Sequence, residues 1–127
     1  VPLVMLSNAI YDDYDRVNAA GWSRVISTQL LRGQLGFRGV TITDSLDGAA
    51  HARGILPNGL AIGAANAGTD LLLVTGSEPA SRSVFTSLLR AAQSGRVHRS
   101  SLEASYQRIL ALKATFLRGG ARRTRIG

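Results

Sequence analysis

Three short apolar runs constrain this chain more than any other feature: Leu3–Leu6, Val40–Thr43 and Asp70–Val74. Each is about as long as one strand, and each is separated from the next by helical periodicity rather than by a hairpin turn. Strands joined by helices pair in parallel, because a parallel neighbour requires a long crossover. The runs are almost continuously apolar, as strands covered on both faces are. The expected order is strand, helix, strand, helix, strand, helix, helix, an α/β arrangement. Three parallel strands leave two unpaired edges. The chain also lacks an initiator Met and begins inside an apolar run. We therefore expect part of a larger α/β domain, or one that needs a partner along its edges.

The helical segments carry their own signals. Trp22, Val25, Ile26, Leu30 and Leu31 mark one face of a 3.6-residue period, ending near Gly33 or Gly36, where glycine suits the left-handed position. Leu60–Ala67 is a short Ala-rich helix able to pack closely on a sheet. Pro79–Ala92 carries Val84, Leu88, Leu89 and Ala92 on one side, with Pro79 in its first turn. Ser101 is a candidate cap for a last helix bearing Leu102, Tyr106, Ile109, Leu110 and Phe116.

Composition removes several classes of function. With no cysteine among 127 residues, neither a disulfide framework nor a thiolate metal site can form. No apolar run approaches the roughly 18–20 residues that span a bilayer, and the N-terminus resembles no signal or transit peptide. No compartment follows, since both cytoplasmic and exported proteins fit these features. The net charge of +7 suggests an anionic partner at first sight. Yet Arg118, Arg122, Arg123 and Arg125 crowd a glycine-containing end, and the other basic residues are scattered. No nucleic-acid motif accompanies them. Residues 118–127 read as a basic, disordered tail and residues 1–117 as the folded part, with no nucleic-acid partner.

In parallel α/β folds, functional groups collect at the carboxyl ends of the strands. The second run ends in Thr43-Asp44, followed by what reads as a long loop through His51, Arg53 and Pro57. The first run ends in Ser7-Asn8, with Tyr11 nearby, and the third in Thr75-Gly76-Ser77. Together these ends form one rim: hydroxyls and amides suited to a polyol, with one carboxylate. Asp44 is equally open to a structural reading, as an Asx-turn or helix cap. Asp47 fits such a supporting role better, as a cap or loop acceptor. His51 and His98 read as surface residues.

The stretch LLRGQLGFRGVTITDSLDGAA resembles the nucleophile segment of the glycoside hydrolase family 3 catalytic domain, in its β-N-acetylhexosaminidase branch. Leu30-Leu31-Arg32, Leu35-Gly36-Phe37, Gly39 and Thr43-Asp44 match that pattern in order and spacing. VPLVMLSNAIY resembles the preceding barrel strand, Asn66–Val74 the following one, and Ser105–Lys113 the closing helix. The resemblance implies a partial (β/α)8 TIM barrel: its last three parallel strands with their helices, completed by a missing N-terminal part. It implies a retaining glycosidase acting on a β-linked carbohydrate, either a β-N-acetylglucosaminide or a β-glucoside. Asp44 would be its catalytic nucleophile and Asn8 a substrate-binding residue. Neither cofactor nor metal is implied.

Three departures from the pattern matter. The family's acid/base, a His supported by an Asp in a Gly-His-Gly region, has no counterpart here, nor do its sugar-binding Lys-His pair and upstream Arg. Many relatives carry His where this chain has Asn8. Many carry Met or another bulky residue where this chain has Gly48. Two rival readings stay open: a phospho-acceptor domain using Asp44, though without the acidic pair expected at its first strand, and a non-catalytic binding or interaction module that is a barrel remnant.

Overall fold

The computed structural model describes the backbone of residues 1–123 and side chains through residue 117. Its strands are β1 (Leu3–Leu6) and β2 (Val40–Thr43), and its α-helices are α1 (Leu46–Arg53), α2 (Pro57–Ala67), α3 (Glu78–Gln93) and α4 (Arg99–Arg123). A 3₁₀ turn at Ala20–Trp22 and a wide, π-type helix at Val25–Gln34 lie between the strands. The chain is therefore a mixed α/β fold around a two-stranded parallel sheet. The first residues of the basic segment 118–127 continue the backbone of α4 to Arg123; residues 124–127 lie outside the described residues.

β1 and β2 pair in parallel, with Leu3 opposite Val40 and Leu6 opposite Thr43. The expected third strand is reduced to a single bridge between Ile42 and Leu71. Leu71 N–H donates to Thr41 O (2.9 Å) and Thr43 N–H donates to Leu71 O (3.0 Å). Beyond that point the Thr43 hydroxyl, not its carbonyl, accepts from Leu73 N–H (3.0 Å). The segment runs beside β2, but a side chain interrupts the ladder.

Strand alternation separates two faces. Val4 and Leu6 point to the helices, where Leu6 packs with Ala20 and Ile26. Leu72 and Val74 face the same way, joining Leu46, Ala61, Val84 and Trp22. The pairing register puts Leu3, Met5, Val40 and Ile42 on the opposite face, where Met5 is 53% exposed.

The helix expected from Trp22 to Leu31 is shifted and widened. Trp22 sits in the 3₁₀ turn, and Leu35 N–H reaches back five residues to Leu30 O (2.9 Å). The Ser27 hydroxyl binds both Ser23 O (2.8 Å) and Ala67 O (2.6 Å), which ties this helix to α2. The chain then turns at Gly36, whose φ of 69° suits glycine.

The loop expected after Asp44 is largely helix. Ser45 caps α1 by accepting Gly48 N–H (3.2 Å), a contact worth about 1 kcal/mol, and Gly54 closes it at φ 63°. Its turn is too short for periodicity to reveal. α2 starts at Pro57, three residues before the Ala-rich stretch, and buries Ala61, Ala64, Ala65 and Ala67, whose small side chains allow close approach. In α3, Ser77 caps the first turn and Val84 and Ala91 are buried. α4 begins at Arg99 rather than at a Ser101 cap, because Ser101 and Leu102 N–H already bond His98 O.

Candidate active site

Backbone hydrogen bonding brings Asp44 to the end of the sheet: its N–H donates to Leu6 O (2.9 Å), which continues the β1–β2 ladder by one residue. The side chain then turns back, and Oδ1 accepts Ser45 N–H (2.7 Å). Asp44 is half-buried. A carboxylate that takes one backbone N–H and keeps its other oxygen free of protein donors among the described residues has a fixed aim and an available lone pair.

Ser45 joins the three strand ends. Its carbonyl accepts Asn8 Nδ2–H (2.9 Å) from the end of β1. Its hydroxyl lies 2.8 Å from the Thr75 hydroxyl, at the end of the third segment. Asp47, in the first turn of α1, accepts Thr75 N–H (2.6 Å) and Gly76 N–H (3.1 Å) through Oδ2. It acts as the loop acceptor expected of it. Ser7 and Tyr11 meet through their hydroxyls at 3.1 Å on the same rim. The three ends singled out in the sequence thus converge. The part played by Ser45 was missed, although a Ser followed three residues later by an N–H in need of a partner is a helix-capping signal.

Asn8 divides its amide. Nδ2 is engaged by Ser45, whereas Oδ1 is buried without a partner among the described residues. His51 lies exposed on α1 and His98 exposed before α4, with His98 N–H donating to Asn66 Oδ1 (3.3 Å).

A second polar cluster, centred on Asp70, lies toward the start of the strands. Asp70, with its side chain fully buried, receives Arg32 Nη2 at 2.7 Å and Arg108 Nη2 at 2.6 Å. Oδ2 also accepts Thr41 N–H (2.9 Å). Burial alone raises its pKa, but the bonds from Arg108 and Thr41 outweigh this and hold the carboxyl below the usual range. Arg32 also donates to Gly39 O (3.0 Å). A Cβ on Gly39 would lie 2.5 Å from Pro2 O and 2.7 Å from the Phe37 ring. Arg32, Phe37 and Gly39, which help carry the family resemblance, thus seat β2 between its neighbours rather than perform chemistry. Asp15 is a further buttress, accepting Ser23 Oγ–H (2.7 Å) and the N–H groups of Asn18 and Val17. These bonds push its pKa well below the usual value.

A parallel sheet whose strand ends present one aimed carboxylate among amides and hydroxyls offers the groups that suit a polyol ligand. Over residues 1–112 the chain matches the family described as the glycosyl hydrolase family 3 N terminal domain, and it belongs to that family. It is 33% identical over 122 residues to an uncharacterized secreted glycosyl hydrolase of Arthroderma benhamiae, a match covering 90% of this chain and 33% of that protein. A beta-hexosaminidase of Bordetella avium is 42% identical over 76 residues, covering 58% of this chain and 21% of that one. Among solved structures, the beta-N-acetylhexosaminidase of Beutenbergia cavernae aligns with a TM-score of 0.78 at 35% identity, covering 89% of this chain and 33% of that chain. The chain spans a third or less of the length of these relatives.

Proposed function

We propose that this chain is the nucleophile-bearing portion of a retaining glycoside hydrolase that removes β-linked N-acetylhexosamine, with Asp44 as nucleophile. In this reading β1, β2 and the 70–74 segment are the last three strands of a (β/α)8 barrel. The half-exposed sheet face around Met5 looks into the barrel. The named β-hexosaminidase relatives favour an N-acetylhexosaminide over a β-glucoside.

The observation that carries the proposal is the setting of Asp44: held at the end of β2 by Leu6 O and oriented by Ser45 N–H at 2.7 Å. A retaining glycosidase needs an ionised carboxylate to attack the anomeric carbon while an acid protonates the leaving oxygen. The covalent glycosyl-enzyme is then opened by water, with the second group acting as base. The Ser45 N–H orients one carboxylate oxygen, and the strand end fixes the direction of the side chain. In this reading the acid/base comes from outside this chain: His51 and His98 are both exposed, and neither side chain is bonded to the rim among the described residues. Asn8 sits on the same rim through its Nδ2–H bond to Ser45 O, and its buried Oδ1 would reach a sugar hydroxyl or amide N–H only after the side chain turns outward. Gly48 leaves one wall of the subsite open, because a Cβ there would meet only Ser45, at 3.7 Å.

The test is to incubate the full-length protein with a 2-fluoro glycoside and locate the label by mass spectrometry. A glycosyl adduct on Asp44 is expected, with turnover lost in Asp44→Ala and the fold retained. Labelling of another residue would remove Asp44 from the role. Sugar binding without any labelling would favour the rival reading, a non-catalytic binding module.

A further inference from the structure

We propose that the cavity between the start of α4 and the wide helix 25–34 binds a small tetrahedral oxyanion of the phosphate class. The cavity measures about 190 Å³ and is lined by Arg24, Thr28, Arg32, Ser100, Ser101 and Arg108. Three arginines line one space with the hydroxyls of Ser100 and Ser101, while the Thr28 hydroxyl is committed to Ala67 O (2.6 Å); no carboxylate is among the lining residues.

The charges beneath it are unbalanced. Arg32 and Arg108 both pair with the one carboxylate of Asp70, their side chains only 12% and 22% exposed. Two cations sharing one anion leave a positive charge uncompensated where solvent is scarce. Arg32 has a second unmet need: its Nε–H is buried and has no acceptor among the described residues. Buried donors of this kind ordinarily have a partner.

Arg24 adds a third cation from the exposed rim and has no ion pair among the described residues. Asp15 lines the adjoining cavity that also reaches Arg24. Its oxygens, however, are engaged by Val17, Asn18 and Ser23. A phosphate or sulfate ion fits a space of this size. It would supply acceptors for the Arg24 guanidinium, the Nη1 of Arg108 and the hydroxyls of Ser100 and Ser101, and would offset the surplus charge of Arg32 at longer range. By bridging Arg24 to Ser100, Ser101 and Arg108, it would fasten the start of α4 to the wide helix, away from the Asp44 rim.

The experiment is a thermal-unfolding titration of the full-length protein with inorganic phosphate, against sodium chloride at matched ionic strength. Phosphate is expected to raise Tm saturably and chloride to leave it flat. Because Arg24 is exposed, Arg24→Ala should fold normally and weaken the apparent phosphate affinity about tenfold, as loss of one charge-assisted hydrogen bond does. A parallel series with phenyl phosphate distinguishes the sources. A tighter response assigns a phosphate monoester, and an equal or weaker one assigns the free ion. The proposal is overturned if phosphate and chloride shift Tm alike, or if Arg24→Ala responds to phosphate as the parent protein does. Because the Asp44 labelling experiment reads a different end of the sheet, either proposal can fail alone.

Discussion

The side-chain amide of Asn8 donates to the carbonyl of Ser45 across 2.9 Å, joining the end of β1 to the residue that follows Asp44. Whatever moves Asn8 moves the peptide that orients the carboxylate. Asn8→Ala removes the donor and leaves a part-buried carbonyl unmet, which costs about 1–3 kcal/mol. Asn8→Asp should be worse for catalysis, since it replaces a donor with a negative charge beside a carbonyl and near Asp44. The check is steady-state kinetics on an aryl N-acetyl-β-hexosaminide. We expect kcat to fall in both variants, further in Asn8→Asp.

Asp47 holds the 75–76 loop through two N–H groups on one oxygen, at 2.6 and 3.1 Å. Asp47→Ala should release that loop, lowering kcat and raising KM together. Asp47→Asn keeps one acceptor oxygen and should retain most activity. Amide hydrogen exchange at Thr75 and Gly76 provides the readout: faster in Asp47→Ala, with little change in Asp47→Asn.

Two glycines of the nucleophile segment should respond oppositely to alanine. At Gly39 the new Cβ would lie 2.5 Å from the backbone oxygen of Pro2, which cannot move without disturbing the start of β1. Overpacking of this kind costs about 1–3 kcal/mol. At Gly48 the nearest atom would be at an ordinary 3.7 Å, and the residue lies inside α1. Gly48→Ala should therefore stabilise by about 0.5–1 kcal/mol. Thermal unfolding of the two variants distinguishes them by the sign of the Tm change.

Asp70 sets part of the acid stability. Its folded pKa lies below the ordinary 3.8, so its contribution is fully present above that value. It is lost as pH falls below 3.8 toward the folded value. Asp70→Asn leaves two buried guanidinium groups without their counter-ion and should cost about 3–5 kcal/mol at neutral pH. It should also flatten the fall in stability below about pH 4. Denaturant unfolding at pH 7 and below pH 4 tests both. An unchanged acid slope in Asp70→Asn would exclude this role.

What the sequence determined by itself is local. The apolar runs at Leu3–Leu6 and Val40–Thr43 specify strands because β-branched and apolar residues fit a surface covered on both sides. The glycine at 36 and the proline at 79 specify where helices turn and begin, because backbone sterics act within a few residues. The position of Asp44 at a strand end was legible for the same reason. Tertiary structure decided the rest, because those interactions join residues far apart in the chain. The side chain of Thr43 interrupts the third strand at Leu73, some thirty residues away. Ser27 reaches Ala67 from a helix that widens around it. Asp70 finds Arg32 and Arg108 on two different helices, and Asn8 finds Ser45. Such pairings depend on which elements pack together, and no local pattern encodes them.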